Sequence, residues 1–245
     1  MKIRNFIQYI LSILTFVFGV VLVILNTPNA NIDFSIYAPY FRLILSGFGW
    51  TILISILIFI LSFVLGLVFF FTSRSKIAYL RYITGHVTDL MFGTPMLVWV
   101  IFSYFFIGNA TGIESKLFWG ITSLTIYFGP FMMKLYVSAY ESLDQNQFVV
   151  CDLFGFSKLQ TYRYVIFPQM IRIMLPPLSG NLATIIKSSS LLYLIGFHET
   201  YYNITTIQSK TFAFTEGYLI LLIVYLVITI PLLRLTSYLE KSVKI

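Results

Sequence analysis

The residues with the most chemistry to offer stand in one row, Lys187-Ser188-Ser189-Ser190, inside an otherwise apolar stretch. A lysine part-way through a hydrophobic span costs a few kcal/mol unless it faces a cavity or a partner. There it can hold a carboxylate or pair across an interface. The bland alternative is that Lys187 snorkels or pairs structurally, while the serines bond to backbone carbonyls one turn back. Lys134, near the end of another apolar stretch, carries the same two readings. Thr94 and Pro95 interrupt a third, where the break either lines a pathway or only kinks a helix. Catalytic machinery is missing. The nearest approach to a nucleotide-phosphate loop, GNLATIIKS, has Ile186 where a glycine must precede the lysine, so Lys187 is no nucleotide lysine. No histidine pair, cysteine cluster or Gly-x-Ser-x-Gly elbow occurs, and no cofactor or metal is expected on this chain. The single Cys151 forbids an internal disulfide.

These residues need elements to position them. A chain of 245 residues that is 58% apolar and 10% charged has the composition of an integral membrane protein. Six segments are long enough to span: Phe6–Leu25, Gly47–Phe71, Leu90–Ile107, Leu117–Tyr136, Leu178–Phe197 and Tyr218–Leu235. The first exceeds a signal-peptide core and lacks a small-x-small site after it, so it reads as an uncleaved span. The third contains Gly93 and Pro95, which predict a kink. The net charge of +7 is scattered between spans, which speaks for membrane topology and against nucleic acid as partner. One set of connections holds Lys2, Arg4, Arg74, Lys76, Arg81, Lys158, Arg163, Arg172, Lys241 and Lys244, against Arg42, Lys116 and Lys210 in the other. The bias places both termini in the cytosol. Trp50 and Trp119 then fall at outer span ends, whereas Trp99 falls mid-span without an explanation from that rule. The outer connections are too short to bury a core; 198–217 predicts an outer helix or gate.

One cytosolic stretch, 144–178, is too polar and broken to cross a bilayer. Asn146 can cap a short helix over Gln147–Phe154, which Gly155 stops in the left-handed conformation. Ser157 can cap a second helix, Lys158–Ile166, which must end near Pro168. Leu159, Tyr162, Val165 and Ile166 share one face of it, and Phe148, Val149, Cys151 and Phe156 give the first helix apolar surface that no span needs. This pair reads as a foot for a partner protein, or as a loop packed back on its own bundle.

At this foot the residues resemble the coupling motif of ATP-binding-cassette importer permeases, Glu-Ala-Ala-x-x-x-Gly followed at a fixed spacing by Ile-x-Leu-Pro. Here it reads Val149-Val150-Cys151, then Gly155, then Val165-Ile166-Phe167-Pro168. The continuation from Pro168 to Gly196 is similar to the polar amino-acid (histidine, glutamine, arginine, cystine) branch. Gly93-Thr94-Pro95-Met96-Leu97-Val98 and Gly49-Trp50-Thr51-Ile52 agree with two further blocks, so the likeness covers 47–240. The resemblance implies an all-α membrane protein with a five-span type I permease core at 47–240, beside an additional N-terminal transmembrane helix within 1–30. It further implies a translocation pathway shared with a second permease, a separate ATPase pair carrying ATP and Mg, and an extracytoplasmic solute-binding protein. The substrate would be a polar amino acid, and the site a bacterial cell membrane. Phe148, Val149, Val150, Cys151, Asp152, Gly155 and Phe156 would contact the ATPase; Thr94, Pro95, Lys134, Lys187, Ser188, Ser189 and Ser190 would serve the pathway.

Departures from the pattern matter. The motif glutamate is Val149, and the aspartate expected after the lysine is Ser188. A glutamate has become Lys134 and an arginine Val137, an asymmetry that a heterodimer of permeases tolerates better than a homodimer. Two other classes remain at this point: an ATPase-independent secondary transporter or channel, for which a repeat and more intramembrane charges are expected, and a membrane scaffold that recruits a cytosolic partner.

Overall fold

In a computed structural model, residues 32–243 are described, together with the isolated positions 15, 18 and 19. The expected first span, Phe6–Leu25, thus lies outside the described residues apart from those positions. Among the described residues all regular structure is helical, with no strand.

A short 3-10 helix, Phe34–Tyr40, leads into α1, Phe41–Ser73. At 1.5 Å per residue, 33 residues extend about 50 Å, more than a bilayer core. Its hydrophobic pattern is inside out. The buried stripe is Gly47, Thr51, Ile54, Ser55, Ile58, Ser62, Gly66 and Phe70, rich in small residues, while Leu53, Ile60, Val64 and Val68 point outward. Lipid is as apolar as leucine, so small residues gather where helices must approach closely. Gly66 is the clearest case: a Cβ there would collide with the Cβ of Met132 on α4, Lys116–Glu141.

The third expected segment is not one straight span. Helix α2, Ala78–Gly93, is bent by 112° from the helical stretch Met96–Thr111, which opens with α3, Met96–Phe102. Thr94 adopts extended backbone between them, as a residue followed by proline prefers, and Pro95 has non-helical ψ of 131°. Beyond α3 a π-helical turn, Ser103–Gly108, carries the chain to Gly112, whose positive φ closes the element.

After α4 come the short helices α5, Asn146–Leu153, and α6, Lys158–Gln160. A π-helical turn, Thr161–Ile166, then joins α6 to α7, Phe167–Ser189. The stop expected near Pro168 does not occur, because Ile166 and Phe167 keep helical angles. The wider turn ahead of the proline absorbs the lost N–H bond, so the rod runs on to Ser189. A 3-10 turn, Ser190–Ile195, ends at left-handed Gly196. Helix α8, Thr200–Thr211, occupies the connection where an outer helix is expected, and α9, Phe214–Val243, is the last element described.

Among the described residues two helical stretches are long and apolar enough to cross a membrane, Phe34–Ser73 and Phe214–Lys241, and a third if the bent pair counts as one. Helices α4 and α7 are long enough but less apolar. One face of each is packed on protein, with Leu124, Met132, Tyr136, Met170, Met174 and Ile185 in the main core beside Ile54, Ile58 and Phe70 of α1. A helix that meets protein rather than lipid can carry Ser123, Pro130 and Asn181. Trp99 is explained in the same way, since its indole N–H donates to the Ser123 carbonyl at 2.8 Å.

Candidate functional site

The foot is built by local sequence chemistry. Asp144, not Asn146, opens α5: its carboxylate accepts from the Asn146 N–H at 2.9 Å, and Asn146 is already the first helical residue. The helix closes as expected at Gly155, with φ of +73°. The Gly155 N–H donates to Asp152 O and the Phe156 N–H to Cys151 O, each at 3.0 Å, the paired bonds of a Schellman stop. Ser157 caps α6 reciprocally: its hydroxyl accepts from the Gln160 N–H, and the Gln160 side chain accepts from the Ser157 N–H at 2.8 Å.

The expected apolar face divides in two. Val149, Val150, Leu153, Phe154, Phe156 and Leu159 are exposed, Leu153 and Phe154 by 82% and 78%. Phe148 and Cys151 turn inward instead, and Leu159 leaves the face it was expected to share with buried Ile166. Asp152 is exposed beside the stop. Between the faces lies a groove of about 320 Å³, lined by Asp144, Asn146, Gln147, Val150, Phe154, Phe156 and Val165 with Cys151 at its side.

Behind the groove the foot is bonded to the bundle. Gln147 and Gln169 exchange amide hydrogen bonds at 3.3 and 2.7 Å, and Gln169 also donates to Val165 O. Phe148 packs on Tyr140 and Tyr162, with centroids 5.7 and 6.2 Å away. Arg74, just past α1, pairs with Glu141 at 3.1 Å and lies 4.2 Å from the Tyr140 ring centre. Burial pushes the Tyr162 phenol up to about 12; neighbouring Tyr140 adds to the rise and Arg74 opposes it.

At the opposite end, a cavity of about 340 Å³ is lined by Lys187, Ser190, Tyr201, Tyr218, Leu221, Leu222 and Tyr225. The cavity places Lys187 with Ser190, but not with Thr94, Pro95 or Lys134. Thr94 is half-buried, and its carbonyl accepts from the Tyr127 hydroxyl at 3.4 Å; Pro95 and Lys134 are exposed elsewhere. Ser189 is buried and donates to Ile186 O at 2.8 Å, Ser190 donates to Lys187 O at 2.7 Å, and Ser188 is half-buried. Two of the three serine hydroxyls therefore bond back along their own helix.

Sequence reasoning missed Glu199. It is fully buried, accepting from the Tyr202 N–H at 2.9 Å, the Thr51 hydroxyl at 3.2 Å and the Tyr225 hydroxyl at 3.1 Å. One carboxyl group thus ties α8 to α1 and α9 beside the Lys187 cavity. An acid directly before a helix start signals a cap, but nothing in the sequence says that two other helices cover it.

The all-helical bundle with membrane-length helices has the type I ABC permease fold of a solved amino acid ABC transporter. The chain belongs to the family described as binding-protein-dependent transport system inner membrane component, whose model matches residues 70–245. It is 28% identical over 211 residues to the probable glutamine ABC transporter permease protein GlnM of Bacillus subtilis, covering 86% of this chain and 97% of that one. To the probable amino-acid ABC transporter permease protein YckA of the same organism it is 32% identical over 206 residues, covering 82% and 86%. Among solved structures it is similar to an amino acid ABC transporter crystallised with histidines, with a TM-score of 0.78 and 25% identity over 86% of this chain and 99% of that one. The MetNI methionine ABC transporter shares the fold at a TM-score of 0.69 and 15% identity, over 84% and 99% of the two chains.

Proposed function

We propose that this chain is the permease subunit of an ATP-driven amino-acid importer. It forms half of a translocation pathway and borrows its energy from a separate ATPase. The exposed apolar face of the foot carries this reading. Val149 and Leu153 are exposed on α5, and exposed Val150 and Phe154 border the groove beside them. Water makes such a face costly, and a groove on a partner protein would cover it. ATP and Mg then belong to the ATPase pair, and nucleotide-driven closure of that pair would move the permeases as rigid bodies. The positive-inside bias supports a cytosolic foot and cytosolic termini in a bacterial inner membrane. A solute-binding protein would deliver a polar amino acid at the opposite end, near α8.

Lys187 is the residue to hold the substrate carboxylate, since it lines a cavity with Ser190, Tyr201 and Tyr225 and among the described residues forms no salt bridge. Two such lysines facing one another would repel, which supports a second permease of different sequence. Purification of the membrane complex tests the reading: an ABC ATPase should come with it, and added binding protein and amino acid should raise its turnover. A complex that contains no ATPase would refute it.

A further inference from the structure

The foot must do more than hold a partner; any displacement it receives has to reach the bundle. Two features make the foot one body. The Gln147–Gln169 amide exchange bridges α5 to α7, and the unbroken helical path from Lys158 through Pro168 makes α6 the first turn of the α7 rod. That body meets the ends of α1 and α4 at a layered stack. The Arg74 guanidinium lies 4.2 Å from the Tyr140 ring centre, and the Tyr140 ring is parallel to Tyr162 within 9° at 6.4 Å. Arg74 belongs to the end of α1, Tyr140 to α4, and Tyr162 to the turn between α6 and α7. Phe70 and Phe71 of α1 close the sides, against Tyr140 and Phe167. A planar cation on an aromatic face resists separation, and its planar fork is pre-organised in a way that a lysine is not.

We infer that Arg74, Tyr140 and Tyr162 are positioning residues that clamp the foot to α1 and α4, so that a push on the foot moves all three as one unit. This rests on the reading that an ATPase engages the foot. Glu141 orients Arg74 from an exposed position and is dispensable, because exposed ion pairs contribute little.

The test uses the complete complex in nanodiscs, with spin labels at Lys76 and Lys158, both exposed on either side of the stack, and with buried Cys151 left native. Their separation is measured by pulsed electron resonance before and after trapping ATP, Mg and vanadate. In the otherwise native chain the distance should not respond to the nucleotide. In Arg74→Met and Arg74→Lys it should shift or broaden only in the trapped state, with ATPase co-purification retained; Glu141→Gln should behave as native. The clamp is overturned if the native distance itself changes on trapping, if the Arg74 variants match native, or if they broaden equally without nucleotide, which would mark a merely structural role. Absence of the ATPase from the native preparation is a separate outcome that strikes the docking reading instead.

Discussion

Replacing Gly155 with alanine tests the foot at its sharpest point. Gly155 sits at φ of +73°, and an added Cβ would meet nothing within 4 Å. The cost is therefore conformational and free of any clash, about 1–2 kcal/mol for an L-residue in the left-handed region. If the ATPase binds only the turned form, that cost weakens its affinity by a factor of up to about 5–30. Membrane insertion should not change, since α5 lies apart from the membrane-length helices. Asparagine tolerates the left-handed region better, so Gly155→Asn should fall between native and Gly155→Ala. Titration of purified ATPase against permease in nanodiscs gives the affinities directly. Equal affinity for native and alanine forms, or an asparagine variant weaker than alanine, would refute the reasoning.

Further outcomes follow from the same geometry. Ser157→Ala removes one arm of the reciprocal cap and should destabilise the start of α6 by about 1 kcal/mol, read as faster amide exchange at Gln160 and Thr161; unchanged exchange would contradict the cap. Gly66→Val forces a side chain onto Met132 and should destabilise the bundle by at least about 1–3 kcal/mol, seen as a lower unfolding temperature in detergent. Lys187→Ala should change uptake or ligand-stimulated ATP turnover with assembly intact; unaltered transport would leave Lys187 only a snorkelling role. Cys151, buried to 6% exposure, should react slowly with a polar maleimide in the folded protein and quickly after denaturation. Fast labelling of the folded form would show that the foot packs differently.

The parts of the fold that were legible are those set by local chemistry. Gly155, Ser157 and the motif spacing around them describe the foot because a cap or a left-handed turn needs only a few adjacent residues. Composition and basic-residue placement likewise point to a membrane bundle. What escaped depends on contacts between distant residues. The proline rule at Pro168 yields to a π turn that no periodicity announces. The bend at Thr94–Pro95 is legible as a break, but its 112° angle is not. Phe148 and Cys151 belong to the apolar side of α5, yet both turn inward, Phe148 against Tyr140 and Tyr162. Glu199 and Arg74 look like ordinary loop charges until α1, α4, α8 and α9 are assembled around them. Cavity membership separates Lys187 from Lys134, a distinction their similar sequence surroundings could not make.

The account stands or falls on what touches the outward side of α5. A photo-reactive amino acid at Leu153, the most exposed apolar residue of the foot, can be irradiated in intact cells that produce the whole chain. The prediction is a covalent adduct with an ABC ATPase, formed at Leu153 and absent from a control position on the lipid face such as Val64. An adduct confined to lipid or to the chain itself, or reaction of residue 153 with a reagent that stays outside the cell, would contradict it.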